Sequence, residues 1–196
     1  MGLYHKGTNG DGIARMLDDL SKIIAALKYW NLDRRLFPKD NYVDRFLLQK
    51  LTYLCQSLGL NIDYPFGIYL AGPYSKALAD AYYQHPQEIA SLTTEYKPNK
   101  QDIEIFERIH KYILMKKVKG DRKMEFLEAV ATIQKLIKDK RASTEDEMYS
   151  QTKRLKPHLS DYIITIALNT VKQLNFRSEY LTDELREEFE LWDRID

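Results

Sequence analysis

Between positions 43 and 83 the hydrophobic period of the chain changes twice within forty residues, and few folds accommodate that. Val43, Phe46, Leu47, Leu51, Leu54, Cys55 and Leu58 recur at steps of three and four, the spacing that stacks apolar side chains on one face of a helix. Gly59 is placed to end that helix, because glycine accepts the left-handed conformation common at helix C-termini. Pro65 then opens the run Phe66-Gly67-Ile68-Tyr69-Leu70, whose alternate members face opposite sides if extended. Gly72-Pro73 breaks the strand, and the fixed φ of Pro73 suits the start of a further helix over residues 75–84. A lone strand between two helices must pair with something and pack on them. The unit therefore predicts a helical protein carrying a small β element.

The flanking sequence extends this reading. Residues 1–12 hold four of the eight glycines, at Gly2, Gly7, Gly10 and Gly12, and read as a flexible arm. The GTNGDG run lacks the lysine and hydroxyl of a phosphate-binding loop and has no preceding strand. Met16, Leu17, Leu20, Ile23, Ile24 and Leu27 form a helical stripe over residues 13–30, and residues 31–41 connect it to the central helix. Beyond His85-Pro86, residues 92–96 contain Thr93 and Thr94 and are expected to pair with residues 66–70 as a two-stranded ribbon. Helices follow over residues 100–117, on Ile105, Phe106, Ile109 and Ile113, and over residues 124–137, on Met124, Leu127, Val130, Ile133 and Ile137.

Thr144 with Glu147 three residues on matches a capping box, Pro157 ends that segment, and Ser160 offers the next N-cap. Tyr162, Ile163, Ile166, Val171 and Leu174 outline another helix, and residues 182–194 a last one bearing Phe189 and Trp192, which would pack on its own domain or form a dimer seam. The fold class is thus mainly α: a compact bundle of seven to eight helices with a small two-stranded β element beside the central helix, residues 13–196 forming one domain.

Composition narrows the function classes. Thirty basic residues against 29 acidic ones leave a net charge of +1, so no global field draws in nucleic acid or anionic membrane. No window reaches the roughly 18 apolar residues of a membrane span, and the start lacks the pattern of a signal peptide. The single cysteine, Cys55, falls on an apolar helix face, which suits packing in a reducing compartment. These features predict a soluble, cytoplasmic protein.

His5, His85, His110 and His158 are far apart, and none stands in a metal-binding spacing. Adjacent carboxylates such as Asp18-Asp19 and Glu187-Glu188 point about 100° apart on a helix and do not make an acid–base pair. No catalytic constellation, metal set or cofactor motif is visible, and a non-enzymatic protein is expected. The basic run Lys111, Lys116, Lys117, Lys119, Arg122 and Lys123 is the candidate contact for nucleic-acid backbone, an alternative function as a regulator. Its competing explanation is ordinary charge at a helix C-terminus.

The run LQKLTYL, a spacer and PFGIYLAGPYSKALADAYY resembles the Panacea superfamily of SocA-like antitoxin domains, in which a QKLLY-type helix leads to an aromatic strand and a YGP turn. The match falls on Leu48, Gln49, Lys50, Leu51, Tyr53, Leu54, Phe66, Tyr69, Gly72, Pro73 and Tyr74, while Ala71 stands where the family commonly has tyrosine. The PYS continuation and the later LEAVATI and LKPHLS segments are more similar to the YwgA-like branch, mostly of unknown function. The resemblance implies an interaction protein that binds and neutralises a partner protein, such as a toxin, by occlusion. The expected partner-binding surface is Tyr69, Gly72, Pro73, Tyr74 and Lys76, where aromatic rings crowd one turn.

Overall fold

The computed structural model describes residues 9–32, 41–118 and 122–176, together with helical positions 183, 184, 187, 188, 190 and 191. Among the described residues, eight continuous helices and one antiparallel hairpin follow the expected fold class. They run α1 (Asn9–Tyr29), α2 (Tyr42–Leu58), β1 (Gly67–Tyr69), β2 (Gly72–Tyr74), α3 (Lys76–Gln84), α4 (Pro86–Ser91), α5 (Lys100–Ile109), α6 (Lys123–Lys138), α7 (Glu145–Leu155) and α8 (Asp161–Asn175). Phe189 and Trp192 of the terminal segment, residues 1–8 of the arm and Lys119 lie outside the described residues. Residues 9–12, expected in the arm, form the first turn of α1.

Local chemistry sets most boundaries. Asn41 caps α2, its side chain accepting from the Val43 N–H, and Gly59 closes the helix at φ 110°. Ser75 and Ser160 cap α3 and α8. Reciprocal boxes start α5, through Asn99 and Asp102, and α7, through Thr144 and Glu147. Instead of running to residue 117, α5 widens into a π-helical turn over His110–Leu114, where the Met115 N–H reaches back to the His110 carbonyl. Lys123 Nζ closes that end by donating to the carbonyls of Ile113, Leu114 and Lys116.

The centre of the bundle is α6, not α2. Phe126, Ala129, Val130, Ala131, Ile133 and Leu136 are all fully buried, and burial of consecutive residues means that α6 is covered on every side. It packs against α8, α2, α7 and the hairpin.

The β element departs from expectation in its second strand. Gly67–Tyr69 pairs with Gly72–Tyr74, in the register Gly67 to Tyr74, Ile68 to Pro73 and Tyr69 to Gly72, and not with residues 92–96. A two-residue turn costs little loop-closure entropy, whereas the distant pairing would close a long loop. The Thr93–Tyr96 stretch is engaged elsewhere: the Thr94 hydroxyl donates to the Ser21 carbonyl on α1, and the Tyr96 hydroxyl to Asp102. Pro73 consequently sits in a strand instead of opening a helix, and its position in a two-stranded element tolerates the missing N–H.

Candidate functional site

The hairpin and the turn that follows it are held by side chains from α2 and from the end of α7, each directed at backbone. On α2, the Gln49 amide donates to the Ser75 carbonyl at 2.9 Å and its oxygen accepts from the Ser75 N–H at 2.9 Å. One turn of side chain away, the Lys50 ammonium donates to the Pro73 carbonyl at 2.7 Å. At the end of α7, Lys156 Nζ donates to the carbonyls of Tyr69, at 2.7 Å, and Leu70, and forms an ion pair with Glu128 of α6 at 3.0 Å. The other Glu128 oxygen lies 3.3 Å from His158 Nε2. Both lysines are 2% exposed. Gln49 and Lys50 of the LQKL run are thus backbone clamps, and Lys156 of the LKPHLS segment completes the set.

Burial lowers the Lys50 pKa to about 8, against the attraction of Glu128 and reinforced by the repulsion of Lys156. Gly72 is required where it stands. Its φ is +83°, and a Cβ there would lie 3.0 Å from Thr132 Oγ1 on α6. The hairpin therefore approaches α6 as closely as backbone can.

Rings from α2, the hairpin and α3 wall an open groove of about 420 Å³ beside this clamp: Tyr42, Phe46, Tyr69, Tyr74, Tyr82 and Tyr83. Tyr69 meets Tyr74 edge-to-face at 5.4 Å between ring centres, and Tyr82 lies against Tyr83 at 4.8 Å. Arg45, Gln49 and Lys50 supply the polar part of the lining. Burial raises the Tyr82 phenol to about 12 and also raises Tyr74, and the positive charge of Arg45 opposes both shifts, so its guanidinium acts on both rings. At the rim, Tyr42, Tyr69 and Tyr83 are more than half exposed, and Leu70, at the tip of the hairpin, is 93% exposed.

The five residues expected to meet a partner separate into two groups. Tyr69 is exposed and Tyr74 half-buried, and both face the groove. Gly72 and Pro73 are buried, Pro73 with its carbonyl committed to Lys50. Lys76 is exposed at the first turn of α3, outside the groove lining. Sequence reasoning missed Tyr42, Arg45, Glu128 and Lys156; Lys156 lies 87 positions from the carbonyl it holds, and a single sequence carries no signal for such a contact.

No family model matches the chain, and neither the curated proteins nor the solved structures contain a match.

Among the described residues of the basic run, one lysine faces inward. Lys123 is turned inward onto carbonyls, and burial lowers its pKa to about 8. Lys111 Nζ lies 4.8 Å from the centre of the Tyr112 ring, while Lys111, Lys117 and Arg122 are exposed and Lys116 half-buried. Cys55 is fully inside the core, where burial pushes its thiol well above the usual range and away from nucleophilic use. Among the described residues no three of His, Cys, Asp and Glu converge as a metal set, and no helix is long and apolar enough to cross a membrane.

Proposed function

We propose that the protein is a non-catalytic interaction module, antitoxin-like, that binds and neutralises a partner protein through the aromatic groove beside the hairpin. The observation that carries this reading is the rim itself: Tyr42, Tyr69, Leu70 and Tyr83 are large and exposed around a groove whose walls are held by buried clamps. Apolar side chains clustered at one concavity are the signature of a binding surface, and a rigid wall spares the partner the entropy of ordering it. The similarity of the LQKL and GPYS segments to SocA-like antitoxins supplies the neutralising role, by occlusion of the partner. Regulation of nucleic acid through the 111–123 run has weaker support, because one of its lysines is consumed as a helix cap.

The test is capture of a partner from lysate by the tagged protein, with Tyr74→Ala and Lys76→Glu in parallel and folding checked by circular dichroism. A protein partner retained by wild type and lost with Tyr74→Ala is the expected result, with Lys76→Glu weakening it less, since Lys76 lies beside the groove. Undiminished capture by folded Tyr74→Ala would overturn the assignment, as would recovery of nucleic acid alone, stripped by salt.

A further inference from the structure

Leu70 is 93% exposed at the tip of the hairpin, so it adds almost nothing to the core, and the backbone does not require it there. Leu70 and Ala71 are the two central residues of the turn, neither has a positive φ, and a turn of that kind accepts most residues, polar ones included. Yet the tip is held in place. Buried Lys156 donates to the carbonyls of Tyr69 and Leu70 and pairs with Glu128, which fixes the turn against α6 and α7 before anything binds. Leu70 also stands on the edge of the aromatic groove without filling it, so a knob and a hollow lie side by side on one face. At about 420 Å³ the hollow is at the small end of binding sites and takes one or two side chains, not a helix.

A face with an adjoining knob and hollow is complementary to itself. In a two-fold pair, residue i of one copy meets residue j of the other and j meets i, so both insertions form together. The net charge of +1 sets no long-range repulsion between copies. Tyr42, Tyr69 and Tyr83, each more than half exposed, surround the same hollow; at roughly 150–250 Å² for a whole aromatic side chain, they and Leu70 offer about 500 Å² per copy. Two such faces total about 1,000 Å², just under the ~1,200 Å² at which stable interfaces begin, which predicts a weak, reversible dimer.

We infer that two copies of the chain pair reversibly face to face, the Leu70 side chain of each seated in the other's groove among Phe46, Tyr69, Tyr74 and Tyr82. The pair covers the surface assigned above to the partner protein, so self-association and partner binding exclude one another. That consequence rests on the interaction reading, whereas the dimer itself does not.

The experiment is sedimentation velocity of the full chain from low-micromolar to sub-millimolar concentration. Wild type is expected to pass from monomer to dimer across that range. Leu70→Glu, which would carry an unpaired charge into the hollow, weakens association by about tenfold or more, while Leu70→Met preserves it. Tyr74→Ala weakens it from the groove side, and the exposed Tyr83→Ala takes its place if Tyr74→Ala loses its helical circular dichroism. The reciprocal geometry gives a sharper readout. A homodimer of either weakened variant has no intact insertion, but a mixed dimer of Leu70→Glu with Tyr74→Ala, or with Tyr83→Ala in its place, has one, so the mixture must form more dimer than either variant alone. Wild type monomeric throughout, a dimer indifferent to Leu70→Glu, or a mixture no better than its components would each overturn the inference. Monomeric wild type that captures a lysate protein and loses it with Leu70→Glu would also overturn it, placing the knob in a pocket of that partner and leaving the interaction module standing. A dimer that meets every criterion, with no lysate partner lost in Tyr74→Ala, would support the inference and remove the neutralising reading.

Discussion

Lys156 Nζ donates to the Tyr69 carbonyl at 2.7 Å, joining the end of α7 to the first strand of the hairpin across 87 residues. The same ammonium pairs with Glu128 of α6, so one buried cation ties three elements together. A buried ion pair is weak evidence for net stability, but it makes each partner dependent on the other. It also fixes the backbone between the two tyrosine-bearing strands, and so the shape of the groove.

Lys156→Met should cost about 3–5 kcal/mol, because it leaves Glu128 buried without its cation and two hairpin carbonyls without a donor. Denaturant unfolding measures this directly. Combining it with Glu128→Gln should cost less than the sum of the single changes, since the stranded charge is then gone. Additive losses would mean that the two residues do not act as a pair.

Asp44 predicts a pH dependence of opposite sign to that of a typical paired carboxylate. It is 2% exposed in the first turn of α2, and neither carboxylate oxygen has a hydrogen-bond partner among the described residues. Burial raises its pKa from 3.8 to about 6, so the folded state holds this proton more tightly than the unfolded chain does. Its contribution to stability is fully present below the unfolded pKa and is lost as pH rises through about 6. Relative to wild type, Asp44→Asn should therefore gain roughly 2–3 kcal/mol between pH 3.5 and pH 7.5, at about 1.4 kcal/mol per unit. Urea unfolding at both pH values checks it; parallel behaviour of the two proteins would show that the carboxylate is not desolvated in the folded state.

Gly72→Ala should destabilise the protein by about 1–3 kcal/mol, combining the cost of a positive φ with the close approach to Thr132 Oγ1 at 3.0 Å. In a Thr132→Ala background the steric share should be relieved and the conformational share should remain. A thermal melt series of the four proteins separates the two. An unchanged melting temperature in Gly72→Ala would mean that the hairpin does not press on α6.

Several helical boundaries were legible in the sequence because their causes are local, whereas the start of α1 and the end of α5 were not. Gly59, Thr144 with Glu147 and Ser160 act on backbone groups within a few residues, and the apolar spacing of α2, α5, α6 and α8 names their buried faces. Where two local signals competed, pattern reasoning chose the wrong one: Pro73 looked like a helix start, yet a two-residue turn made Gly72–Tyr74 the nearest partner for Gly67–Tyr69.

The sequence by itself determined a helical protein with one short β element, the aromatic crowding at positions 69–83, and the burial of Cys55, since periodicity and capping are properties of neighbouring residues. Only the tertiary structure decided that α6 is the centre, that Gln49, Lys50 and Lys156 spend their polar groups on the hairpin backbone, and that Tyr42 and Arg45 join the tyrosines in one groove. Those outcomes depend on which distant groups satisfy one another once water is excluded. A buried carbonyl must find a donor wherever the packing brings one, and no spacing along the chain encodes where that will be.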